Sequence, residues 1–108
     1  MKRPRLSKER LEELIEEATV DAYGESEQAG AFYTMMENDL HMPFTTQILG
    51  VEVTVESIDM TDDDEIVAVC SRGGKRQKIS ILELPLPSPA PEGADWIEAY
   101  RYWRRGSD

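Results

Sequence analysis

The sequence predicts one α+β domain over residues 1–108, with two N-terminal helices, a three- to four-stranded antiparallel SH3-like sheet and a C-terminal helix. Apolar residues recur at steps of three and four near the start and the end of the chain, as they do on buried helix faces. Between these segments, Val51, Val53 and Val55 alternate with polar residues, as in a half-buried strand. At 108 residues, 40% of them apolar, the chain is large enough for one modest core.

Residues 7–42 are predicted to form a helical hairpin, preceded by a basic tail at residues 1–6. Ser7 is a favourable N-cap, because its hydroxyl can accept a hydrogen bond from a first-turn amide. The first helix is expected to end near Ala22. Its apolar stripe consists of Leu11, Leu14, Ile15 and Ala18.

The second helix is predicted from Glu25 to Leu40, between a turn at Gly24 and a helix-ending Pro43. Gly30 lies inside it and costs up to about 1 kcal/mol relative to Ala. We therefore expect the two helices to pack closely at Gly30. The apolar stripe of this helix consists of Ala29, Phe32, Tyr33, Met36 and Leu40.

Residues 44–84 are predicted to form the antiparallel β region. The Gly73-Gly74 pair is typical of a tight hairpin turn, and Asp59–Glu65 is predicted to be a polar loop. The predicted strands are Phe44–Leu49, the valine-rich run from Val51, Ile66–Cys70 and Gln77–Leu82.

The last part of the chain combines a proline-rich strap at residues 85–91 with a helix at residues 92–105. Alternating prolines favour an extended, stiff segment. In the helix, Trp96, Tyr100 and Trp103 are spaced by four and three residues and share one face. This aromatic stripe is predicted to belong to the core.

Charge is distributed unevenly along the sequence. Residues 11–71 contain sixteen of the twenty-two acidic residues and no Lys or Arg. The net charge of −10 predicts a field that repels nucleic acid and anionic lipid and attracts cations or a basic partner.

Two acidic clusters are candidate metal sites. Glu37, Asn38 and Asp39 lie at the end of the second helix, where the helix dipole disfavours carboxylates and a cation would offset them. Asp62, Asp63, Asp64 and Glu65 follow one another on a predicted loop, where a divalent ion would relieve their mutual repulsion. Ca²⁺ takes six to eight oxygen ligands, which carboxylates, amides and free helix carbonyls can supply.

An EF-hand does not fit this loop. With Asp59 as position one, Asp64 falls at position six, where the EF-hand needs Gly, and Cys70 falls at position twelve, where it needs Glu.

Several short motifs stand out in the N-terminal half of the chain: Met1-Lys-Arg-Pro4, Val20-Asp-Ala-Tyr-Gly24, Glu27-Gln-Ala29, Glu37, Leu40 and Pro43-Phe-Thr45. In these motifs the chain resembles a known family, the small acidic prokaryotic calcium-binding proteins of the CcbP type. The resemblance is close over the first half of the chain and looser over the β region, and it implies a non-EF-hand protein that binds Ca²⁺. Asp21, Glu27 and Glu37 match acidic positions of the family, whereas Asn38-Asp39 reverses its acid-then-amide order.

The sequence does not predict an enzyme. His41 and Cys70 are the only residues of their types, and no catalytic, phosphate-binding or zinc motif surrounds them. A lone Cys, no apolar run of membrane-spanning length and no signal-like segment favour a cytoplasmic protein. We therefore predict a cytoplasmic Ca²⁺ buffer or sensor. The alternative is a metal-free interaction module, built on a small SH3-like barrel, that holds a basic protein partner.

Overall fold

The computed structural model describes residues 6–106, so the predicted basic tail lies outside the described residues except for Leu6. Two helices are followed by four strands and a third helix, as predicted. In chain order they are α1 Lys8–Thr19, α2 Glu25–Asp39, β1 Phe44–Ile48, β2 Val51–Met60, β3 Ile66–Arg72, β4 Lys75–Ser80 and α3 Ala94–Arg104.

Helix α1 begins as the sequence predicts. The Ser7 hydroxyl accepts a hydrogen bond from the backbone amide of Arg10 at 3.1 Å. The helix ends at Thr19, before the predicted Ala22, because the Ala22 amide closes a tighter turn on the Thr19 carbonyl. The predicted stripe faces the core: Leu11, Leu14 and Ala18 are buried and Ile15 is half-buried.

Helix α2 follows the predicted bounds to within one residue and buries Ala29, Phe32 and Met36. The close packing expected at Gly30 is wrong. Among residues 6–106, a Cβ atom added to Gly30 would have no neighbour within 4 Å beyond its own helix backbone. The missing side chain at Gly30 therefore does not make room for a neighbouring helix.

The sheet is an antiparallel meander with strand order β1-β2-β3-β4. Gly73 and Gly74 form the tight turn between β3 and β4, as predicted. Strand β2 runs through Asp59 to Met60, so the polar connection is shorter than predicted and begins at Thr61. Closure of this sheet into an SH3-like barrel stays a prediction.

The aromatic stripe of α3 packs against α2, which confirms its predicted place in the core. Trp96 and Tyr100 are buried. The ring of Phe32 meets that of Tyr100 edge-on with centroids 5.6 Å apart, and the Trp103 ring lies 5.2 Å from it. These contacts fix α3 against α2.

Two side chains fasten the segment between β4 and α3. The buried hydroxyl of Thr46 on β1 donates a hydrogen bond to the Pro85 carbonyl at 2.6 Å. Arg101 of α3 donates from Nε to the Ile81 carbonyl at 2.9 Å and from its Nη2 to the Leu84 carbonyl. Burial lowers the pKa of Arg101. The segment therefore crosses the domain in a fixed course and delivers the start of α3 to the end of α2.

Candidate metal centre

The C-terminal end of α2 and the N-terminal end of α3 touch through their backbones. The His41 amide donates to the Glu92 carbonyl at 2.8 Å. Gly93, with a φ of 88°, lies so close to α2 that an added Cβ would stand 2.6 Å from the Cα of Leu40 and closer still to the carbonyl of Asp39. Only glycine combines this backbone conformation with this approach.

An open cleft of about 510 Å³ lies beside this contact, and we call it the α2–α3 cleft. Side chains from α1, α2 and α3 meet there, together with the residues just before α3. Its lining consists of Arg10, Leu14, Glu17, Asn38, Asp39, Glu92, Gly93, Asp95 and Trp96.

Asp39 is held in the cleft by the indole of Trp96. The Trp96 Nε1 donates a hydrogen bond of 2.8 Å to Oδ2 of Asp39. Because the indole ring is buried, it fixes the direction of the carboxylate. The other carboxylate oxygen, Oδ1, accepts no hydrogen bond from a residue in the described part of the chain, so it is available to bind a ligand.

The cleft is acidic, and the basic side chains of residues 6–106 neutralise little of its charge. Among these residues, Arg10 is the only basic residue in the lining, and its guanidinium pairs instead with Glu13 at 3.1 Å. Within residues 6–106, Glu17, Asp39 and Glu92 form no salt bridge. The last turn of α2 also contains no basic residue. Its partial negative charge therefore adds to that of the carboxylates.

Glu37 lies on a different side of α2 from Asp39. Its carboxylate is next to the hydroxyl of Tyr33, whose proton is donated to the Ile58 carbonyl on β2 at 3.4 Å. Burial raises the pKa of Tyr33, and the nearby Glu37 and Asp59 raise it further. The consecutive residues Glu37, Asn38 and Asp39 are thus divided: Glu37 is near the sheet, and the other two line the cleft.

The second predicted cluster forms the tight turn between β2 and β3. The Asp64 amide donates to the Thr61 carbonyl at 3.0 Å, and the Asp63 and Glu65 amides both donate to the Thr61 hydroxyl at 3.2 Å. Asp64 adopts a φ of 63°, the left-handed region that Asp tolerates better than most residues. The Thr61 side chain therefore organises the backbone on which the four acids are displayed.

This turn lies beside the middle of α3. Burial raises the pKa of the Tyr100 hydroxyl; Arg104 opposes the rise, whereas Glu65 and Asp64 add to it. Asp39, by contrast, contacts Trp96, one helical turn earlier on α3. The two predicted clusters thus approach the same helix at different turns.

The donor atoms suit Ca²⁺ in kind, because they are carboxylate, amide and carbonyl oxygens. Among the described residues, no three His, Cys, Asp or Glu side chains are grouped closely enough to hold a metal ion.

Sequence reasoning missed Glu17, Glu92 and Trp96 as neighbours of Asp39. Glu17 resembled the other exposed glutamates of α1, and Glu92 is far from Asp39 along the chain. Gly93 was the available signal, because a glycine directly before a helix can mark a close backbone approach.

The residues considered for catalysis offer little reactive chemistry. Cys70 is buried on β3, and burial raises the pKa of its thiol, which disfavours the reactive thiolate. His41 is exposed just after α2. Over residues 6–106, every helix is too short or too polar to cross a membrane.

Together, the fold and the cleft define a small acidic α+β protein with oxygen donors gathered where helices meet. Comparison with protein families is more specific: a family model described as calcium binding, that of the CcbP family, matches residues 12–104. The match covers most of the chain, so the protein belongs to the CcbP family of calcium-binding proteins, and Ca²⁺ is its ligand. No curated protein and no solved structure matched significantly. Calcium binding also suggests a non-enzymatic role.

Proposed function

We propose that the protein is a cytoplasmic Ca²⁺ buffer or sensor and that Asn38 and Asp39 bind the ion in the α2–α3 cleft. One observation carries the proposal: the cleft gathers acidic side chains from different elements, while the described basic side chains leave Glu17, Asp39 and Glu92 unpaired. Membership of a calcium-binding family supports the choice of ion.

The proposed mechanism is capture of the ion with closure of the cleft. Asp39 supplies a carboxylate that Trp96 already orients. Glu17 and Glu92 line the same cleft, and their exposed side chains are free to turn toward an ion. A divalent cation replaces repulsion between these carboxylates by attraction, so binding brings the three elements together.

The turn Asp62–Glu65 is proposed as a second, separate Ca²⁺ site. Thr61 holds its backbone, so an ion needs to order only the side chains. Glu37 stays a predicted ligand; its position beside Tyr33 keeps it apart from the cleft.

The test is calorimetric titration of the full chain with Ca²⁺, combined with variants of each cluster. Asp39→Asn removes one charge yet keeps an oxygen that can accept from Trp96, so the protein should fold while affinity falls at least about tenfold. The triple variant Asp62→Asn, Asp63→Asn, Asp64→Asn should remove only the second binding event. Glu83→Gln is the matched control, since Glu83 is exposed and outside both clusters.

Two results would contradict the proposal at different levels. Absence of binding heat and of thermal stabilisation at millimolar Ca²⁺ would refute calcium binding itself. Wild-type affinity in Asp39→Asn, with binding lost in the triple variant, would refute the cleft as the principal site.

Trp96 provides a way to separate buffer from sensor. If closure changes the environment of its indole, Ca²⁺ should shift Trp emission, and Asp39→Asn should weaken this response in parallel with affinity. A sensor also changes its overall shape on binding, whereas a buffer binds with little rearrangement. Small-angle scattering with and without Ca²⁺ measures that difference. The alternative, a module that binds a basic partner, stays a prediction. It requires that Ca²⁺ leave stability unchanged and that a basic peptide or protein bind with strong salt dependence.

A further inference from the structure

A second groove, of about 390 Å³, lies on the sheet near the two hairpin turns β1–β2 and β3–β4. Its floor is apolar. Along β2, Val55 is fully buried, Val53 is half-buried and Val51 is 41% exposed, so the apolar face of this strand emerges into solvent. Leu49, in the adjacent turn, is 98% exposed. The apolar residues of the lining are Ile48, Val51, Val53, Cys70 and Ile79.

The rim of this groove is basic, in contrast to the rest of the protein. Arg72, Lys75 and Arg76 line it. Between residues 11 and 100, every Lys and Arg of the sequence lies within residues 72–78. The groove is therefore a local positive region on a chain of net charge −10.

This positive charge is only partly neutralised. Arg76 pairs with Glu56 at 3.2 Å, and Arg72 donates to the Glu52 carbonyl at 3.2 Å. Lys75 is exposed and forms no ion pair with another described residue. Two cationic groups, on Arg72 and Lys75, thus lack a carboxylate partner in the described part of the protein.

Protection of an exposed strand edge explains part of this pattern. Lysines on edge strands such as β4 discourage pairing with other chains, and Lys78 fits that role, paired with Asp59 at 3.2 Å. Arg72 does not, because it lies on the inner strand β3. Protection of the strand edge also does not explain the apolar floor beside these charges.

We propose that this groove docks an extended acidic segment of a partner protein, in which apolar side chains alternate with Asp or Glu. The apolar side chains would cover Val51 and Ile79, and the carboxylates would meet Arg72 and Lys75. A short segment senses mainly the local positive charge, because screening limits the reach of the distant acids to about 8 Å at physiological ionic strength.

A second copy of this chain and a membrane are weaker candidates for the same groove. Two copies each carry a charge of −10 and repel one another. Contact between the basic groove and an acidic surface elsewhere on a second copy would be head-to-tail, which does not close as a pair. An anionic bilayer would face much more of the acidic surface than a short peptide does.

The test is fluorescence anisotropy with the full chain in physiological salt, without added Ca²⁺, so that the outcome is independent of the metal site. The probe is a labelled peptide of alternating Asp and Leu; peptides of alternating Lys and Leu or Asp and Ser serve as comparisons. Only the Asp-Leu peptide should bind, and its affinity should fall as salt rises.

Variants locate the binding surface. Lys75→Gln should weaken binding about threefold, as loss of one exposed charge pair predicts, and Arg72→Gln with Lys75→Gln at least about tenfold. Val51→Thr keeps the side-chain shape and should weaken binding by reducing apolar contact. Lys78→Gln is the matched control, because it removes the same charge outside the groove and should leave affinity unchanged.

Three outcomes would overturn the proposal. The Asp-Leu peptide could fail to bind, or bind Lys75→Gln and Lys78→Gln equally well. The protein could bind vesicles containing phosphatidylserine but not the Asp-Leu peptide, which would assign the groove to a membrane. Sedimentation velocity could show a dimer that Lys75→Gln abolishes, which would assign it to self-association.

Discussion

The contact between Gly93 and the end of α2 can be tested by the substitution Gly93→Ala, which adds one methyl group. Gly93→Ala adds a Cβ 2.6 Å from the Cα of Leu40, against backbone that cannot turn aside as a flexible side chain can. The substitution also forces alanine to keep a φ of 88°. Either the backbone of residue 93 relaxes or α3 moves away from α2.

The two costs can be separated by a control. Holding a non-glycine residue in the left-handed region costs about 1–2 kcal/mol, and overpacking a close contact adds about 1–3 kcal/mol. Gly93→Ala should therefore destabilise the protein by about 2–5 kcal/mol. Gly50 has a φ of 78°, and no atom of residues 6–106 outside its immediate chain neighbours lies within 4 Å of an added Cβ. Gly50→Ala should therefore lose only the backbone contribution, about 1–2 kcal/mol.

Urea denaturation followed by Trp fluorescence measures both free energies of unfolding, and an unchanged m-value would show that the unfolding transition itself is preserved. Because α2 and α3 form two sides of the cleft, Gly93→Ala should also weaken Ca²⁺ binding more than Gly50→Ala does. If the two variants lose equal stability and bind Ca²⁺ equally, the close backbone contact does not shape the cleft and the reasoning fails.

Three further predictions concern single residues. Gly30→Ala should raise the free energy of unfolding by up to about 1 kcal/mol in urea denaturation, because its Cβ meets open space and alanine is the better helix former. The Met60 amide and then Lys78 lower the pKa of Asp59 below its usual 3.8. The ionised carboxylate therefore stabilises the fold above pH about 4, and this contribution is lost as pH falls through the lower folded-state pKa. In acid titrations, the free energy of unfolding of Asp59→Asn should fall less steeply over this pH range than that of the wild type. Cys70 should react with a thiol reagent only after denaturant is added, since its thiol is buried and its pKa raised; rapid labelling of the native protein would contradict this.

The helices and most strands could be predicted because their signals are local. The Ser7 cap, the apolar steps of α1 and α2 and the aromatic stripe of α3 depend only on neighbours within a few residues. The end of β2 could not be predicted in this way. A β-bulge between Val55 and Ser57 shifts the register, so the alternation begun at Val51 is broken although the strand continues to Met60.

The site could be predicted only in part, for a related reason. The sequence places Glu37, Asn38 and Asp39 at one helix end, but only packing decides that Glu37 is near Tyr33 and that the other two line the cleft. Glu17 and Glu92 reach the cleft from elements remote in the sequence. Gly30 illustrates the opposite error, since a local anomaly suggested a contact that the tertiary structure does not make.

The acidic end of α2 is tolerated because its stability comes from elsewhere. Carboxylates and an uncompensated helix dipole both disfavour this last turn, yet the buried Phe32 and Met36 hold the helix against α3 independently of charge. The fold can therefore keep negative charge concentrated beside the buried indole of Trp96, with the exposed Glu17 and Glu92 lining the same cleft. In our proposal, the same repulsion that mildly opposes folding becomes the driving force for taking up a divalent cation. Packing thus maintains the helix, and in this proposal electrostatics makes its end responsive to Ca²⁺.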